Sequence, residues 1–295
     1  LDASLKSFNG ALSLDRELGV GWLGLARTQR MLGDVEVASE SLARARRLMD
    51  ENDASVATES ALLALDTNDV NAASSFIDAA DVHGASATVA YVRGNIAART
   101  GRLEMAHKKF TECLSIDPAH IRARLNRSSV SMAMNEGRSV LDDAEILLDM
   151  APMLGLARVR KAEGHMMLGE WELASKQLRH VLETAPHHTH ALTQLAACYM
   201  SMDRPERAES PLNEALRHSP EHAPAWHQRG LLYLEWSKID NALSDFEAAV
   251  RCDGQHLDAR LHIAALLHNS ERLDEAEAAW RAVLAINPDH TVAKT

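Results

Sequence analysis

Small and large apolar residues recur along this chain at fixed intervals, with polar residues filling the positions between them. One row of small residues returns every 34 positions: Ala26, Ser60, Gly94, Ser128, Ala162, Ala196, Gly230 and Ala264. Twelve positions further on lies a second row, Ala38, Ala72, Ala106, Val140, Ala174, Ala208, Ala242 and Ala276. Four beyond that the side chains are mostly larger: Leu42, Phe76, Phe110, Ala144, Leu178, Leu212, Phe246 and Trp280. Packed helix axes lie only about 8–10 Å apart, so small residues are needed where two helices approach. The rows therefore predict one pair of antiparallel helices per interval, interlocked small against large. Pro118, Pro152, Pro186, Pro220, Gly254 and Pro288 punctuate the intervals at the same spacing. A constant interval of this length predicts an all-α solenoid of helix hairpins, each sharing its core with its neighbours.

The interval 223–256 carries the fullest pattern: Trp226-x-x-Arg229-Gly230-x-x-Tyr233, then Ala242-x-x-x-Phe246, then Gly254. It resembles the tetratricopeptide repeat, with Arg229 where Leu is usual and Gly254 where Pro is usual. The resemblance implies a right-handed superhelical solenoid. Eight full units are expected, at 19–52, 53–86, 87–120, 121–154, 155–188, 189–222, 223–256 and 257–290. Residues 1–18 match the second helix of a truncated preceding repeat, with Phe8 and Ala11 in register, and 291–295 begin a truncated further one. Neither end supplies a polar capping helix, so the chain reads as part of a longer protein. Local distortion is expected in 121–154, where Val140, Ala144 and Gly137 weaken the second helix. Pro211 should make the second helix of 189–222 kink or begin late.

In this family the first helix of each hairpin lines the concave face, and the resemblance assigns candidate contact residues there. Met132, Met166 and Met200 share one register, with Tyr91 in the neighbouring row. Unbranched methionines either fill gaps between helices or form an adaptable apolar groove for a partner, and both readings stand. Asn126, Arg160 and Gln194 form a polar row able to pair with the backbone of an extended peptide. In chaperone-binding members two Asn, two Lys and an Arg clamp a terminal carboxylate. Asn95, Asn126 and Arg160 fall on the non-lysine positions, but Tyr91 and Leu156 replace the lysines, so that function is not expected. Arg27, Arg30, Arg99, Arg122 and Arg160 lie on inner registers against Glu163, Glu235 and Asp258. This bias leads us to expect an acidic segment to favour the N-terminal half.

Composition narrows the functional class. A net charge of −11 argues against nucleic acid as a partner. No apolar run approaches the roughly 20 residues of a membrane-spanning helix, and Leu1-Asp2-Ala3 does not begin a signal peptide. The three cysteines have no CxxC spacing, suggest a reducing, cytoplasmic setting, and form neither a disulfide framework nor a zinc site. Cys113 and Cys252 are expected to face the core. Twenty-four Arg against seven Lys point to a GC-rich bacterial genome. Five of the 15 histidines, His120, His188, His222, His256 and His290, share the last register and should lie in turns. His187-His188-x-His190 is the tight cluster among them, read here as a turn without a metal. No grouping of nucleophile, base or phosphate loop stands apart from the repeat, so neither a catalytic site nor a cofactor is expected. The sequence thus points to a scaffold binding a protein or peptide partner. Its alternatives are the regulatory or substrate-presenting arm of a glycosyl- or sulfotransferase, or a scaffold that self-associates through uncapped ends.

Overall fold

The computed structural model describes residues 1–50, 53–80 and 86–294. Among them the regular structure is entirely helical. The chain divides into two compact units, Leu1–Ser139 and Val140–Thr295. The first holds α1 (Asp2–Leu14), α2 (Gly19–Leu32), α3 (Val35–Leu48), α4 (Ala54–Asp66), α5 (Val70–Ala80), α6 (Ala87–Arg99), α7 (Leu103–Ile116) and α8 (Ile121–Ala133). Helix α9 (Gly137–Met150) begins just before the division. The second unit continues with α10 (Gly155–Met167), α11 (Trp171–Thr184), α12 (Thr189–Ser201), α13 (Glu209–His218), α14 (Ala223–Glu235), α15 (Ile239–Cys252), α16 (Leu257–Asn269) and α17 (Leu273–Ile286). None of these helices is long and apolar enough to cross a membrane.

Each first helix ends in the same way. A residue in the left-handed region follows it: Gly33, Asn68, Gly101, Asn135, Gly169, Asp203, Ser237 or Glu271. Its own backbone N–H and the next one fold back, as where Gly33 donates to the Arg30 carbonyl and Asp34 to that of Gln29, both at 3.0 Å. This closure satisfies carbonyls that the helix end would otherwise leave bare, and it turns the chain into the second helix. Within a hairpin the small residue of the first helix receives the large residue of the second. A Cβ on Gly94 would meet the Phe110 ring at 2.5 Å, and one on Gly230 the Phe246 ring at 2.6 Å. Both rings are fully buried. Between neighbouring hairpins, Phe8 of α1 lies close over Gly24 of α2.

The hairpin α4–α5 departs from the fixed count. Its first helix begins at Ala54, its left-handed residue is Asn68, and its second helix begins at Val70. Each lies one position later than the 34-residue count predicts. The fully buried residues shift with it: Ala61, Ala73 and Ile77 occupy the core, while Ala72 and Phe76 are only half-buried. Phe76 instead lies under the Arg46 guanidinium, 5.3 Å from the ring centre. The shift is present at Ala54 and gone at Ala87, where α6 begins on the expected count. The closing turns expected for 19–52 and 53–86, at 51–52 and 81–85, lie outside the described residues.

Two further expectations are corrected. Helix α9, where local distortion was expected, is an unbroken helix of 14 residues, and Val140, Leu141, Ala144 and Leu147 are buried on it. Gly164 of α10 leaves room for Leu141, since a Cβ there would meet its side chain at 2.9 Å. Cys252 is exposed, because it is the last residue of α15, where its thiol meets the carbonyl of Pro220. Cys113 and Cys198 are buried, and burial pushes their thiols up to about 11 and about 12. Helix α13 does begin late, at Glu209, after a 3₁₀ turn over Pro205–Arg207.

Candidate partner-binding surface

In the first unit the candidate residues sit on α6 and α8, the first helices of adjacent hairpins. Asn126 of α8 donates its side-chain amide N–H to the Asn95 carbonyl oxygen of α6 at 2.7 Å. The pair helps to line a pocket of about 250 Å³ together with Ala98, Leu103, Phe110 and Val130. Tyr91 is half-buried beside it, its ring centre 4.7 Å from that of His120 and 6.0 Å from that of Phe110. Met132 is half-buried on α8, and Arg122 is exposed near the start of that helix.

In the second unit the candidates sit on α10 and α12. Glu163 of α10 is 7% exposed and receives two partners: Arg160 at 2.8 Å and His190 of α12 at 2.9 Å. Burial alone would raise its pKa. The hydrogen bond from His190 and the charge of Arg160 outweigh burial and hold it below the usual carboxylate range. Met166 is half-buried against the cluster containing Leu178 and Val181, and Met200 against the one containing Leu212 and Leu216. Each methionine thus packs on a core while keeping some surface. Gln194 is half-buried on α12.

Part of the basic bias expected of the N-terminal half is neutralised within the fold. Arg27 and Arg30 of α2 both reach Glu59 of α4, and Arg30 also reaches Asp66 at 3.2 Å. Arg99 bonds the side chain of Asn68. Counting by 34 missed Glu59, because the shifted hairpin places it where Thr58 was expected. Asp53 carried the signal: its side chain accepts from the Ser55 and Val56 N–H groups and so starts the helix at Ala54.

The shared histidines prove to be helix caps. The Nδ1 atoms of His120, His188, His256 and His290 accept from the backbone N–H three residues ahead, at 3.0–3.4 Å. His222 holds the same place before α14 without such a bond.

Tetratricopeptide repeat models match residues 87–120, 165–229 and 227–291, together more than half of the chain. The chain belongs to the tetratricopeptide repeat family. No curated protein sequence matches it significantly. Among solved structures it is similar to a tetratricopeptide repeat protein from Parabacteroides merdae, with a TM-score of 0.65 and 17% identity over 84% of this chain and 98% of that one. It is also similar to a chain of the APC/C hetero-tetramer Cut9-Hcn1, with a TM-score of 0.67 and 15% identity over 98% of this chain and 57% of that one. A third is a thermophilic tetratricopeptide repeat protein from Thermus thermophilus, with a TM-score of 0.54 and 23% identity over 59% of this chain and 95% of that one. These likenesses concern the fold. A tetratricopeptide array supports protein–protein interaction in general, and such a pure repeat is typically non-catalytic. The Arg229 departure from its pattern also has a structural reason. The guanidinium forks onto Asp245 of α15 at 2.7 and 2.9 Å and stacks on Trp226 at 4.8 Å.

Proposed function

We propose that this chain is a non-catalytic scaffold whose first helices hold an extended segment of a partner protein. The observation that carries this reading is the Asn95–Asn126 amide pair lining the pocket between α6 and α8. Paired amides retain at least one donor and one acceptor each, which suits them to the backbone of a strand-like peptide. The lining of Ala98, Leu103, Phe110 and Val130 suits one apolar side chain of that peptide. Tyr91 borders the groove, and Arg122 at the exposed start of α8 favours an acidic residue in the ligand. In the second unit Arg160, Gln194, Met166 and Met200 offer a similar mixture on α10 and α12. There Glu163 already takes much of the Arg160 charge, so a carboxylate clamp is not part of the reading.

A random peptide library displayed on phage, selected against the full chain, supplies the ligand. Affinities of the selected peptides are then measured by fluorescence polarisation. Asn126→Ala and Ala98→Leu are each expected to weaken binding by about tenfold, the first by removing an amide, the second by filling the pocket. Peptides that bind both variants as tightly as the parent would place the contact elsewhere and defeat the proposal.

A further inference from the structure

The run His187-His188-x-His190 is split three ways by the fold. His188 caps α12 through its Nδ1. His190 turns to Glu163. His187 faces α13, where its Nδ1 lies 3.1 Å from Glu214 Oε1 and its ring stacks on His218 with centres 3.9 Å apart. His218 Nε2 lies 3.0 Å from the same oxygen. Glu214 and His218 are four residues apart on α13 and so share one face of that helix. Ligand atoms of His187, Glu214 and His218 all fall within 4.8 Å of one another.

We propose that His187, Glu214 and His218 form a binding site for a borderline divalent transition-metal cation, Zn²⁺ being the type case. Bonds of about 2.0–2.1 Å place tetrahedral ligand atoms about 3.3 Å apart. The two nitrogen–oxygen separations already stand near that value. Two imidazoles with one carboxylate suit Zn²⁺ and its neighbours, whereas Mg²⁺ and Ca²⁺ seek all-oxygen sets. The side chains are 59%, 31% and 30% exposed, so a fourth position is open to water or to a ligand from a partner. The cation would take the place of the hydrogens now lying between the rings and the carboxylate.

Arg217 is the competitor. Its guanidinium grips Glu214 at 2.6 and 3.2 Å. The arginine must release Oε1 when metal enters. Occupancy would tie the turn before α12 to the end of α13, so metal should also raise the stability of the second unit.

The test is calorimetric titration of the tag-free full chain with ZnCl₂, with MgCl₂ and CaCl₂ as comparisons. We expect one tightest Zn²⁺ site that weakens at least about tenfold in His187→Ala and in His218→Ala. It should be unaffected by His268→Ala, an exposed histidine on α16. Arg217→Gln should tighten it, which a merely damaged fold would not do. Co²⁺ should give a tetrahedral absorption spectrum that His218→Ala abolishes. Equal Zn²⁺ affinity in the parent and in the His187→Ala, His218→Ala double variant would overturn the site, as would a tightest site that responds to His268→Ala instead.

Discussion

At Gly94 and Gly230 the absence of a side chain has a measurable purpose. Phe110 and Phe246 lie against those two backbones with no room for a methyl group. Replacing Gly230 by Ala gains about 1 kcal/mol of helix propensity. It also drives a Cβ to within 2.6 Å of a fully buried ring, which must shift to admit it. Overpacking of this kind costs about 1–3 kcal/mol. Gly230→Ala is therefore expected to destabilise by about 1 kcal/mol, read as a lower urea midpoint. Adding Phe246→Leu should relieve the clash and recover part of that loss. A midpoint that rises on Gly230→Ala alone would show that the ring has space.

The hairpin is the level at which the sequence was most legible, and also the level at which it misled. Rows of small and large residues gave the helix pairs because packing distance leaves few alternatives. In α4–α5 one inserted residue moved the whole hairpin, and counting carried Ser60, Ala72 and Phe76 into places held by Ala61, Ala73 and Ile77. A fixed period cannot register a shift that is undone within one unit, whereas the Asp53 cap could. The surface was less legible still. Glu59 meeting Arg27 and Arg30, or Glu214 meeting His187, depends on side chains from different hairpins coming together. Arg229 shows what a departure from the repeat pattern can mean. With Leu in its place, Asp245, 4% exposed, would lose its bidentate partner. Breaking a buried ion pair from one side costs about 3–5 kcal/mol, while removing both charges is often nearly neutral. Arg229→Leu should thus lower the denaturation midpoint sharply, and Arg229→Leu with Asp245→Leu should regain most of it. A double variant no better than the single one would mean that the stacking on Trp226 matters more than the ion pair.

Across the molecule, histidines connect stability to pH. In the second unit the His227 ring lies 4.8 Å from His256, 5.4 Å from His262 and 5.6 Å from Phe246. Burial, then the neighbouring His256 and His262, push its pKa down to about 4, against a small opposing pull from Asp258. Burial also lowers His222 and His262. The unfolded chain takes up a proton at His227 near pH 6.5, whereas the folded chain resists it until about pH 4. Acidification between those values therefore favours the unfolded state, and above about pH 6.5 the group has no effect. Glu163, held below its ordinary range, adds a loss in the same direction at still lower pH. Thermal denaturation followed by circular dichroism should show Tm falling as pH drops from 7 toward 4, with up to about 3 kcal/mol traceable to His227. His227→Gln, which cannot take up that proton, should flatten the fall between pH 6.5 and 4 without abolishing the loss below it. A variant whose Tm tracks the parent at every pH would assign the acid sensitivity to the carboxylates instead.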